Sequence, residues 1–80
     1  MNNFNLENQY QLYLKRVALS ESTMHEQQKI QLKQTFFGAI GQFLILLEKD
    51  IADLEESKAV KVLENFKTQI SEYFLTLTQN

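Results

Sequence analysis

Six side chains in the first half of the chain have the chemistry to hold an anion. His25, Lys29 and Lys33 stand at i, i+4 and i+8, so on a helix they form one basic row. Arg16, the only arginine, can grip a phosphate or carboxylate through two parallel N–H bonds. Tyr10 and Tyr13 offer flat rings on which a base can stack. The stretch "SEST", residues 20–23, adds hydroxyls and free N–H groups at a helix start, where negative charge is favoured. Taken together, these groups suit a small phosphate-bearing molecule. Taken one by one, each is explained by a solvated polar face with the tyrosines in a core.

Signals for catalysis are weak. The chain has no glycine-rich phosphate loop, nucleophile elbow or HExxH pattern. His25 is the only histidine and there is no cysteine, so Glu21, His25 and Glu26 fall short of a metal-ligand set. Glu48, Asp50 and Asp53 read as a solvated acidic helix end rather than as a general acid–base pair. The expectation is a protein that is not an enzyme and needs no cofactor and no metal.

The elements that must position these groups are helices. Two glycines and no proline in 80 residues leave little turn chemistry for sheets or long loops. Leu6, Tyr10, Tyr13, Leu14 and Val17 share one face, predicting a first helix over about 5–18. Thr23 and Glu26 fit a capping box, with Ser22 as the competing cap, for a second helix over about 24–55. Along it Ile30, Phe37, Leu44 and Ile51 are seven apart and Ile40, Leu47 and Leu54 interleave, a heptad seam with Lys33 as its polar break. Ser57 is the expected cap of a third helix over about 58–77, with Ala59, Val60, Leu63, Phe66, Ile70, Tyr73, Phe74 and Leu77 at three- and four-residue spacing. The fold expected is a single all-α domain, three helices up-down-up with a long central one.

"FFGAIGQFLILL", Phe36 to Leu47, is apolar nearly all round. The seam uses Phe37, Ile40, Leu44 and Leu47 and leaves Phe36, Phe43, Ile45 and Leu46 on other sides, with Gly38 and Gly41 between. Two short neighbours do not enclose such a helix, and an 80-residue chain without disulfides commonly gains stability from a partner. Phe36, Gly38, Gly41, Phe43, Ile45 and Leu46 are therefore expected at an interface in a homo-oligomer, a dimer or a higher assembly. The competing reading is the core of a well-wrapped bundle. A net charge of −2 argues against nucleic acid as a partner. Twelve residues fall short of the ~20 a membrane-spanning helix needs, and no basic-then-apolar leader is seen, so a cytoplasmic protein without a membrane partner is expected.

The pattern "NQYQLYLKRVALSESTMHEQQKIQLKQTFFGAIGQFLILL" resembles small helical accessory proteins of phages and mobile elements of gut bacteria, over roughly residues 8–54. That group includes sponges that sequester cyclic-nucleotide immune signals between subunits, in counter-defence against CBASS or Thoeris systems. The resemblance is one of texture and assigns no individual residue. It implies a bacterial host and an oligomer that takes up a nucleotide signal. The alternative is an inhibitor or adaptor that docks on a bacterial protein through Leu12, Leu19 and Leu32.

Overall fold

The computed structural model describes residues 3–78. Over them the chain is all-helical, with three α-helices and no strand: α1, Leu6–Arg16; α2, Glu26–Leu46; and α3, Glu56–Leu77. A 3₁₀ turn, Glu21–Thr23, lies ahead of α2, and a π-helical turn, Leu47–Ile51, follows it without a gap. The chain divides into two units, Met1–Phe43 and Leu44–Asn80.

In the first unit, α1 opens at Asn5, whose extended backbone lets its side-chain oxygen accept from the Asn8 N–H at 3.0 Å. The helix stops at Arg16, two residues short of the sequence expectation, for a backbone reason. Ala18 turns left-handed at φ 57°, with its N–H bonded to the Lys15 carbonyl at 3.2 Å. The Leu19 N–H reaches the Leu14 carbonyl at 2.9 Å, completing a Schellman close. Glycine is the usual residue there; alanine bears a cost of about 1–2 kcal/mol.

Segment 17–25 then doubles back along α1, bringing Glu21 Oε1 within 3.3 Å of Gln11 Nε2. The expected capping box does not form. Thr23 donates its hydroxyl to the Ser20 carbonyl at 2.9 Å, and Ser20 Oγ accepts from the Ser22 N–H at 3.3 Å. The hydroxyls of "SEST" thus close their own turn. The first bond of α2 runs from the Lys29 N–H to the His25 carbonyl.

Helix α2 passes through Gly38 and Gly41 without a break. With the π turn it makes a 26-residue helix, Glu26–Ile51, long and apolar enough to cross a membrane by length and composition. The apolar character is longer than the twelve residues Phe36–Leu47, because Ile30 and Leu32 extend it toward the N-terminus. Between Lys33 and Glu48, however, the uncharged stretch rises only about 20 Å against a hydrocarbon core of ~30 Å.

In the second unit, α3 starts one turn after the π-helical segment. Ser57 is not its cap: Glu55 holds that position without a side-chain cap bond, and Ser57 Oγ donates to Glu55 Oε1 at 3.0 Å. Among the described residues only three apolar side chains are buried, Tyr10 and Leu14 in the first unit and Ile51 in the second.

Candidate functional site

The first unit gathers most of the residues singled out for chemistry around one aromatic cluster. Tyr10 comes from the middle of α1, and its ring lies 5.3 Å from Phe36 of α2. Tyr13, one turn on, stands 5.4 Å from the same ring, and Phe36 meets Phe37 edge-on at 6.0 Å. Such tilted pairs each add roughly 0.5–1.5 kcal/mol beyond the area they bury. Phe36, expected at an interface, is here the hub that joins α1 to α2 and is half-buried.

A chain of polar groups crosses this cluster. Lys33 Nζ pairs with Glu7 Oε1 at 2.6 Å and lies 5.7 Å from the centre of the Tyr10 ring. The Gln11 amide donates to Glu7 Oε2 at 3.0 Å and to Glu21 Oε1 at 3.3 Å. The row Lys33–Glu7–Gln11–Glu21 thereby ties α2, α1 and the 3₁₀ turn together. Hydrogen bonding from Lys33, then from Gln11, holds the Glu7 carboxyl below its ordinary value, and the same bond to Glu7 raises Lys33. Two carboxylates and one ammonium leave the row net negative.

The expected anion-binding set is divided by this arrangement. Lys33 is engaged with Glu7. Tyr10 is fully enclosed, at 0% exposure, and presents no face for stacking. Its hydroxyl is buried without a hydrogen-bond partner among the described residues, and burial raises its phenol above the ordinary value. Arg16, in the last turn of α1, and His25, ahead of α2, are exposed. Lys29 is half-buried and stands 3.7 Å from Glu26 within its own helix. Tyr13 is half-buried and lines a groove of about 200 Å³ with Leu32, Thr35, Phe36 and Ala39.

That groove has a form set by helix geometry. Leu32, Thr35, Phe36 and Ala39 stand at i, i+3, i+4 and i+7, the four-residue diamond into which a neighbouring helix inserts a side chain. A second diamond, Ile30, Lys33, Gln34 and Phe37, opens on the heptad seam. At about 200 Å³ the more enclosed of the two is smaller than the roughly 300 Å³ at which small-molecule pockets begin. That size suits a side chain from a helix, whereas the diamond on the seam, at about 370 Å³, is wider and more open.

Gly38 and Gly41 stand apart from the cluster. A Cβ built on either meets no atom within 4 Å. Among the described residues nothing approaches them closely, so packing there gives no reason for two residues that each cost a helix about 1 kcal/mol. Farther along the same helix, Phe43 and Ile45 are exposed, at 40% and 50%, while Leu46 is half-buried.

Sequence reasoning missed Glu7 and Gln11. Their i, i+4 spacing on α1 was legible, but the cross-helix partner Lys33 lies 26 positions beyond Glu7 and no local signal connects them. No group of three or more His, Cys, Asp or Glu is placed to hold a metal ion among the described residues. No protein-family model, curated protein or solved structure matches the chain.

Proposed function

We propose that this chain is a non-enzymatic, self-assembling helical binding protein whose subunits meet along α2. The observation that carries this reading is the open space beside Gly38 and Gly41, where a Cβ would meet no atom of the described residues within 4 Å. Glycines allow a second helix backbone to approach, and Leu44 and Ile45, 43% and 50% exposed, offer apolar area beside them. In this reading three-helix subunits form a cytoplasmic homo-oligomer, with Phe43 and Leu46 turned away from the glycine face by helix geometry.

The cargo we propose is a small anion of the nucleotide-signal kind, as in the phage-type sponges that the sequence resembles. Arg16, His25 and Lys29 would contact it, with Tyr13 as the stacking ring. Lys33 would join them only by leaving Glu7. A second reading, an inhibitor or adaptor that takes a helix of a bacterial protein, draws on the diamond-shaped grooves of α2.

The test is native mass spectrometry of the wild type beside Gly38→Ala/Gly41→Ala. Wild type is expected at a small multiple of 9.4 kDa, with the double variant reduced to half that mass or less. The variant subunit should also be the more stable, by about 1 kcal/mol per site, because alanine favours the helix and meets no clash. A mass unchanged by both substitutions, or a wild type that is a bare monomer, sinks the reading. Added mass of a few hundred daltons per site would reveal the anion, and its loss in Arg16→Glu would place it.

A further inference from the structure

We propose that the C-terminal half of α3 is a separate self-association surface, covered by the same half-helix of a second copy about a two-fold axis. The seam Ala59, Leu63, Phe66, Ile70, Tyr73 and Leu77 runs the length of the helix at three- and four-residue spacing. Its first three members are half-buried. Its last three are exposed, at 57%, 58% and 55%, and Phe74 beside them is more than half exposed too. The burial stops while the pattern goes on.

Lengths within the second unit explain the change. Its helical residues ahead of α3, 44–51, rise about 12 Å, whereas the 22 residues of α3 rise about 33 Å. The shorter piece has no reach beyond the first turns of the longer one. From Gln69 to Thr78 the only charged residue is Glu72, and Tyr and Phe sit among aliphatic side chains. Charge depletion with aromatic enrichment is the composition of an interface core.

The area is sufficient. Four large side chains on one face, Ile70, Tyr73, Phe74 and Leu77, each exposing more than half of itself, supply on the order of 500 Å² per copy. Pairing the stripe with itself removes about 1,000 Å² in total, the threshold for a specific interface. A seam with a and d positions is self-complementary about a two-fold, so a second copy needs no new surface. The surface belongs to α3 in the second unit, whereas Gly38 and Gly41 belong to the first.

The decisive variant is Ile70→Glu/Phe74→Glu in the full chain, weighed by native mass spectrometry and checked for helicity by circular dichroism. The mass is expected to halve with helicity unchanged, since both positions face solvent in the subunit. The chain has no cysteine of its own, so Ile70→Cys/Tyr73→Cys should give a covalent dimer on mild oxidation. Thr68→Cys/Glu72→Cys, on the opposite face, should stay single. An unchanged mass in the glutamate variant, with no cross-link at 70 and 73, overturns the proposal. So does a wild type that floats with lipid vesicles and loses that property in the variant. A mass that halves here but is untouched by Gly38→Ala/Gly41→Ala would retain α3 and remove the α2 contact; the converse would do the reverse.

Discussion

The two units differ in where their apolar side chains find cover. In the first, α1 and α2 enclose Tyr10 and Leu14, and Phe36 joins rings from both helices. An ion pair and a shared amide then cross the outside of the cluster. In the second, Ile51 is the one buried apolar side chain among the described residues, and the seam of α3 becomes exposed halfway along. The same three-four spacing thus gives a closed contact in one unit and an open stripe in the other. Amphipathic periodicity states that a face seeks cover; element lengths decide whether the chain itself supplies it.

Truncation should break that contrast most sharply. Tyr10→Ala is expected to destabilise the first unit by about 3–5 kcal/mol, whereas Ile70→Ala in a dilute, monomeric sample should change stability by less than about 0.5 kcal/mol. Urea denaturation followed by circular dichroism measures both. Equal losses would show that α3 has cover within the subunit. Tyr10→Phe serves as the control: it keeps the ring and removes a hydroxyl that is buried without a partner, so it should not share the loss.

A smaller effect, of opposite sign, is expected at the end of α1. Ala18→Gly places the permissive residue at φ 57° and should stabilise the first unit by about 1 kcal/mol. A thermal midpoint that falls would mean that the left-handed turn is not kept in solution.

The smallest effect concerns pH. The Glu7 carboxyl is held below its ordinary value by Lys33, so its contribution is present above the unfolded carboxylate value and is lost as pH falls through the lower folded value. Lys33 is raised, so its contribution is present below its unfolded value and lost as pH rises through the higher folded one. Glu7→Gln should flatten the acid limb of the wild-type stability profile. Because both groups are partly solvated, the change is small beside truncation of Tyr10.

Much of the architecture was legible because it depends on local spacing. The apolar stripe of α1, the unbroken passage of α2 through both glycines and the reach of α3 to Leu77 all follow from helical periodicity and low turn content. Helix starts and stops were less legible. Thr23 and Ser57 have capping chemistry, but a serine three residues before Thr23 captured its hydroxyl, and Ser57 donates to Glu55 instead. The close at Ala18 carries no glycine to announce it. Of the candidate site, the types and spacing of His25, Lys29 and Lys33 were visible. That Lys33 would pair with Glu7, and that Tyr10 would be enclosed, depends on how segment 17–25 doubles back, which no periodicity encodes.

The π-helical turn over Leu47–Ile51 changes what the heptad seam means. An α-helix advances about 100° per residue, and a π turn inserts one residue into a single turn, so the helix emerges out of phase by nearly that angle. Leu44 and Ile51 are seven apart and belong to one stripe on paper, yet Leu44 is 43% exposed and Ile51 only 5%. A repeat that is continuous as text therefore does not keep to one line in space: within the second unit it sets Leu44 in solvent and Ile51 in cover.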